Sequence, residues 1–408
     1  MVPEAIRTSC CIAGGGPAGM MLGLLLARAG IEVTVLEKHA DFLRDFRGDT
    51  LHPSTLQVMH ELGFLTELLK LPHQKIEELS AEIGDQSVPV ADFRRLPVEC
   101  PALVLMPQWD FLDFLKRKAE AHPTFRCLMA CEATGIVEDA ERVTGITATR
   151  EGDPLTVEAD LVVAADGRRS HLRAAAGLEV KTLGAPIDVM WFRLSRFPDD
   201  TEQTGGRFDA GRLFVRIYRG DYWQCGYVIP KGRADAVKAR GIDAFRDEVA
   251  SLVPFDDARL VSDLPSFDVV SILSVSVDRL KQWHRPGLLC IGDAAHAMSP
   301  VGGVGINLAI QDAVATANLL VAPLSAGILA DRHLAAVQKR RMLPTRLVQS
   351  AQVLVQNRIL APALVPGKRR DGLPWPLLLL QRFPVLRRIP ARLIGMGVRP
   401  EHVRSGGG

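Results

Sequence analysis

Three short groups of residues, far apart along this chain, have the types and spacing for chemistry. The first is Gly14-Gly15-Gly16-Pro17-Ala18-Gly19, directly after the apolar run Ser9–Ala13. In Gly14-x-Gly16-x-x-Gly19 the first glycine makes a tight turn and the second lets a pyrophosphate approach the backbone. The third lets a helix pack close to its strand. Free N–H groups and the positive dipole end of that helix then face the phosphate oxygens. Glu37, followed by Lys38, closes the next apolar run, eighteen residues after Gly19. A carboxylate there accepts hydrogen bonds from an adenosine ribose and disfavours a 2′-phosphate, which points to FAD or NAD rather than NADP.

The second group is Asp166-Gly167-Arg168-Arg169-Ser170, after the apolar run Leu161–Ala165. The third is Gly292-Asp293-Ala294-Ala295-His296, after Gly287–Ile291. It runs into Pro300-Val301-Gly302-Gly303-Val304-Gly305-Ile306-Asn307, whose glycines permit backbone approach to a flat ring. A helix starting there would aim its positive end at that ring.

Periodicity gives the elements that must position these groups. A buried strand over 9–13, a helix over 17–29 stopped by Gly30 and a strand over 31–37 form a βαβ unit, which implies a parallel sheet. Helices are expected over 53–62 and 109–121, and a hairpin over 143–159. After about residue 178 the texture becomes β-rich, with strands over 189–196, 212–219, 222–229 and 269–277 and a turn at Gly220-Asp221. A helix over 242–252 interrupts them. A long helix should run from Gly305 to Leu320. Helical segments broken by Pro344 and later prolines come after Asp331.

The resulting fold class is α/β, with a Rossmann-like dinucleotide domain, an antiparallel β-rich substrate domain and a helical C-terminal segment. The expected first domain is discontinuous, over 1–75, 101–180 and 285–340. The second takes 76–100 and 181–284, and the basic helical segment takes 341–408.

Length and composition fit two or three globular domains, with 408 residues and 24% charged residues. A net charge of +2 argues against a nucleic-acid partner. Residues 331–408, however, hold 15 Lys/Arg against 3 Asp/Glu, a net of +12 that leaves −10 for the rest. Such a tail can meet an anionic surface, a partner or the acidic body of its own chain. Seven cysteines in apolar settings suggest free thiols in a reducing, cytoplasmic compartment. Cys127 and Cys131 have no second pair at metal-ligand spacing, so no metal site is expected. No secretory leader precedes the glycine motif, and no apolar run reaches the length of a membrane span.

Together and in this order, the three groups resemble the FAD motifs of class A flavoprotein monooxygenases, the para-hydroxybenzoate hydroxylase-like aromatic hydroxylases. The resemblance covers roughly residues 9–340 and implies roles residue by residue. Asp293 would hydrogen-bond the ribityl chain, with Gln108 near the same region. Arg47 would face the flavin and pyrophosphate. Asp166 and Gly167 would lie near the pyrophosphate and the nicotinamide path. His296 would sit structurally beneath the cofactor, and His52 would line the substrate cavity. Pro300, Gly303, Gly305, Ile306 and Asn307 would surround the ring. Val304 stands where the family commonly has Gln.

The resemblance also implies a mechanism. NADH or NADPH, bound transiently without a Rossmann domain of its own, would reduce FAD. O2 would then form a flavin C4a-hydroperoxide that passes one oxygen to an aromatic or polycyclic substrate. Arg47, His52 and Pro300 are the expected catalytic residues. Phe192, Phe214, Arg216 and Tyr222 are the expected substrate contacts, although alternation does not say which strand face points inward. The chain would work as a monomer or homodimer. Two other readings stay open: a flavoenzyme that takes a lipid or isoprenoid-like substrate at a membrane through the basic tail, or a non-catalytic flavin-binding protein.

Overall fold

The computed structural model describes residues 4–43, 50–84, 86–200, 204–253, 255, 257–364 and 375–405. Five parallel strands form the spine of the first sheet: β1 (Glu4–Ala13), β2 (Val33–Leu36), β3 (Phe125–Leu128), β4 (Asp153–Ala164) and β5 (Leu288–Cys290). Their spatial order is β5-β4-β1-β2-β3. The antiparallel strands Arg142–Arg150 and Cys131–Asp139 extend it beside β4. The runs Cys10–Ala13 and Leu161–Ala164 are buried throughout, as a parallel sheet covered on both faces requires.

Helix α1 (Pro17–Arg28) crosses from β1 to β2, and ten of its twelve residues are buried. Burying each of Leu22, Leu24, Leu25 and Leu26 contributes about 1.5–3 kcal/mol. Helices α2 (Pro53–Glu61) and α3 (Gln108–Glu120) come next, and α3 packs its Phe111, Leu112, Phe114 and Leu115 inward. Helix α4 (Gly305–Ser325) is buried on every side from Ile306 to Ala317. With its preceding turn it is long and apolar enough to cross a membrane, but 72% of that window is buried inside the fold. It is the core helix of this protein.

Helix α5 (Asp331–Val355) corrects one sequence expectation, because it runs straight through Pro344. The proline removes one N–H from the ladder. The helix survives because Leu334, Val337, Arg341, Pro344 and Thr345 form a buried face against its neighbours, and that packing outweighs local propensity. After it come α6 (Trp375–Arg382) and α7 (Arg388–Gly395).

The second sheet has seven strands, in the order Ser271–Ser274, Ile187–Ser195, Tyr222–Pro230, Arg212–Tyr218, Gly205–Asp209, Glu78–Ile83, Gln86–Asp92. All neighbours are antiparallel except Gly205–Asp209 with Glu78–Ile83. The strand expected over 269–277 shrinks to Ser271–Ser274, since Phe267–Val269 is a 3-10 turn. One face of this sheet packs on the helix Ile242–Ala250, with Phe192, Phe214 and Phe245 in one cluster. The other face looks towards α4, α5 and the C-terminal helices.

Candidate active site

The three sequence groups converge because their strands end level with one another. Ala13 lies opposite Leu36 on one side and Ala164 on the other, and Ala164 lies opposite Cys290. The residues just beyond these strand ends therefore meet at one edge of the sheet: Gly14–Gly16, Glu37, Asp166-Gly167 and Gly292-Asp293. Ligands bind at this carboxyl edge in open α/β sheets.

The glycine turn admits nothing larger at two positions. Gly14 has φ +104°, and a Cβ there would lie 2.3 Å from the Ala165 carbonyl oxygen. A Cβ on Gly19 would lie 1.9 Å from the Gly14 carbonyl oxygen. Gly16, by contrast, faces open space, so the start of α1 forms a cradle rather than a packed corner. Glu37 is buried and accepts from the backbone N–H of Gly15 at 2.9 Å and of His39 at 3.1 Å. Lys38 beside it is exposed. A phosphate cradle, an adjoining carboxylate and open glycine backbone fit the adenosine diphosphate part of FAD.

Across the edge, Arg168 Nε donates to Asp293 Oδ2 at 3.1 Å, linking the second and third groups directly. Asp166 accepts from the Leu172 N–H at 3.2 Å through Oδ2. Its other oxygen is buried and has no hydrogen-bond partner among the described residues. Behind Gly292, the buried Asp312 accepts from the Gly292 N–H at 3.0 Å and pairs with His296 Nε2 at 2.6 Å and Arg341 Nε at 2.9 Å. Burial would raise the Asp312 carboxyl, but His296 and Arg341 outweigh it and hold the group below its ordinary value. His296 also packs against Trp283, with ring centroids 5.0 Å apart and planes tilted by 43°.

In front of the Pro300–Val304 loop lies a cavity of about 1250 Å³. Pro300, Val301, Gly302, Gly303, Val304 and Asn307 form one wall. Asn307 is held there because its Oδ1 accepts from Ser54 Oγ at 2.8 Å and Thr55 Oγ1 at 2.7 Å. Gly303, at φ +62°, lies so close to Thr50 that a Cβ would come within 3.0 Å of its hydroxyl. Gly305 faces open space, and Ile306 is buried at the first turn of α4. The opposite wall is the second sheet, through Ile187, Val189, Trp191, Leu213, Val215 and Val228. Among the described residues the lining carries two side chains that ionise in the ordinary sense, Asp209 and Arg341.

Several expected site residues stand elsewhere. His52 does not line the cavity. It is fully buried, with Nδ1 2.6 Å from the Ile394 carbonyl oxygen and Nε2 3.0 Å from that of Gly303. Burial lowers its pKa, although those carbonyls pull the other way. It ties the ring-facing loop to α7 rather than touching substrate. Phe192 and Phe214 face away from the cavity, with ring centroids 6.1 Å apart and Phe192 5.6 Å from Phe245. Arg216 lies on that same far face and donates to Glu82 at 3.0 Å. Tyr222 carries the Arg193 guanidinium 4.8 Å over its ring and is also absent from the lining. Gln108 heads α3, half-buried, and Arg47 lies outside the described residues.

The residues that do face the cavity alternate with those named from sequence. Along Ile187–Ser195 the cavity side is Ile187, Val189 and Trp191, and the core side is Met190, Phe192 and Leu194. A period of two separates the faces, but no local signal tells which is covered. The C-terminal helices supply a roof through Ile359, Leu360, Leu377, Leu393 and Ile394, which sequence reading did not place at the site.

Comparison with known proteins adds an independent line. A family described as "FAD binding domain" matches residues 7–351. The chain is 34% identical over 405 residues to a 6-methylpretetramide 4-monooxygenase of Streptomyces rimosus, covering 98% of this chain and 95% of that protein. Its fold is similar to that of the anhydrotetracycline hydroxylase OxyS of Streptomyces rimosus, with TM-score 0.74 at 22% identity, over 98% of this chain and 78% of that one. It is also similar to Pseudomonas aeruginosa PqsL in complex with 2-aminobenzoylacetate, with TM-score 0.75 at 21% identity, over 88% and 98% of the two chains.

Proposed function

Because the chain belongs to the class A FAD-dependent monooxygenases, we infer that its substrate is a flat, multi-ring aromatic compound of little net charge. NADH or NADPH serves as transient reductant in this reading, and one oxygen atom of O2 is transferred. The cavity carries the inference. Its volume of about 1250 Å³ exceeds the usual ligand pocket of roughly 300–1,000 Å³. That leaves room for a multi-ring ligand in front of the Pro300–Val304 loop. Its walls are mostly aliphatic, with Trp191, Phe208, a few neutral polar groups and two ionisable side chains of opposite sign, Asp209 and Arg341. A relative that is a 6-methylpretetramide 4-monooxygenase supports the same substrate class.

FAD, when bound, supplies hydride acceptance and oxygen activation. The chain's own residues bind, orient and exclude water. Gly14–Gly16 and the start of α1 hold the pyrophosphate, and Glu37 accepts from the ribose. Asp293, paired with Arg168, accepts from the ribityl hydroxyls. The Pro300–Gly303 loop would face the flavin ring at the cavity wall, where the first turn of α4 would offer its positive dipole end to negative charge. The aliphatic second sheet keeps water from the oxygen-transferring centre.

The test is oxygen transfer. Purified holoenzyme with NADH or NADPH should convert multi-ring phenols to products carrying one atom from isotopically labelled O2. Single-ring hydroxybenzoates should be converted poorly. Reductant oxidation that never labels any multi-ring compound would overturn the substrate class.

A further inference from the structure

The roof of the cavity is also an exposed surface of unusual composition. Leu347, Ile359 and Leu393 both line the cavity and stand exposed, Leu393 at 58%. They mark a mouth. Around it α6, the next turn and α7 present Trp375 at 73% exposure, Leu378, Leu379, Phe383, Val385 at 60% and Ile389 at 59%. Single exposed apolar residues are ordinary, but a contiguous set marks an interaction surface. Residues 375–395 contain four arginines and no Asp or Glu. Arg382, Arg388 and Arg392 are exposed among the apolar side chains, with Arg358 beside Ile359.

The segment is anchored, not loose. Ala391 and Gly395 are buried on the inner side of α7, packed with Phe93 and Leu96 of the second domain. The inner face is thus spent on the fold, and the outer face is left apolar and basic. That pairing fits the boundary of an anionic bilayer, where apolar groups enter the acyl region and arginines meet headgroup phosphates. A two-fold contact between copies would instead oppose the same arginine set with itself, without acids to offset it.

We propose that the outer face of Trp375–Gly395 seats this protein on an anionic lipid surface, with the cavity mouth facing the bilayer. A poorly soluble ligand would then reach the cavity without crossing water. The binding does not depend on turnover, so its failure would leave the oxygen-transfer reading intact.

The experiment is co-sedimentation of the FAD-loaded protein with phosphatidylglycerol–phosphatidylcholine vesicles and with phosphatidylcholine alone. Binding is expected only with phosphatidylglycerol, and should weaken as salt screens the arginines. R388E/R392E should lower partitioning by at least about tenfold, and F383E/I389E should lower it as well. Both variants should keep their bound FAD and melting temperature. The proposal is overturned if wild-type protein does not sediment with phosphatidylglycerol vesicles at low salt. It is equally overturned if the variants bind unchanged, or if F383E/I389E dissolves a dimer seen by sedimentation velocity without altering vesicle binding.

Discussion

The Arg341 guanidinium donates from Nε to Asp312 Oδ1 at 2.9 Å, and neither side chain reaches solvent. Asp312 in turn accepts from the Gly292 N–H, at the turn that carries Asp293. On its other side Arg341 donates from Nη1 to Glu401 at 3.2 Å, and Arg340 joins the same carboxylate at 2.7 and 3.0 Å. The C-terminal tail is therefore tied through Arg341 and Asp312 to the turn that carries Asp293, and Arg340 fastens the same tail to α5.

Removing Arg341 leaves Asp312 buried with less compensation. Arg341→Met should destabilise the fold by about 3–5 kcal/mol, read from denaturant unfolding. FAD retention after gel filtration should fall in parallel. Unchanged stability would show that the pair is not what holds this turn.

The same carboxylate sets an acid limit. Asp312 is held below its ordinary value in the fold, so it stabilises the protein above the unfolded carboxyl value of about pH 4. That contribution is lost as pH falls through the lower folded value. Asp312→Asn should flatten the acid side of the stability profile, below about pH 4, while lowering stability at neutral pH.

His52 acts over a different range. A neutral imidazole has one N–H and serves only one of its two carbonyls, Ile394 or Gly303, at a time. Burial keeps the ring from charging in the fold, whereas the unfolded chain protonates near pH 6.5. Stability is therefore full above about pH 6.5 and declines as pH falls towards the lower folded value. His52→Gln should remove that part of the melting-temperature slope. An identical slope in the variant would assign it to another group.

Trp191 and Phe192 separate substrate fit from folding. Trp191 lines the cavity and Phe192 fills the opposite core. Trp191→Ala should shift KM among multi-ring substrates with a modest stability change. Phe192→Ala should cost about 3–5 kcal/mol of stability and leave substrate preference as it was. The reverse pattern would mean that the sheet presents its other face.

Asp293→Ala should weaken FAD retention strongly, measured by flavin absorbance after dialysis. Arg168→Ala should weaken it less, because Arg168 supports the Asp293 carboxylate through a single hydrogen bond. Full flavin content in Asp293→Ala would remove that residue from the binding set.

Much of this protein was legible from the chain alone. The glycine turn, Glu37, Asp166-Gly167 and Gly292-Asp293 each come after an apolar run, and local spacing determined both the strand–turn–helix units and the dinucleotide chemistry they serve. These are short-range constraints: a turn that admits only glycine, a carboxylate at a strand end, a helix start with free N–H groups. Tertiary structure decided the rest. It chose Trp191 over Phe192 for the cavity, because alternation defines two faces but only the helix Ile242–Ala250 determines which one is covered. It carried α5 through Pro344, because burial along one helix face outweighs one missing hydrogen bond. It took His52 out of the cavity and placed it between two carbonyls from segments 251 and 342 residues away in the chain. Contacts of that range leave no periodic trace in sequence, since they depend on where whole elements dock rather than on what their neighbours are.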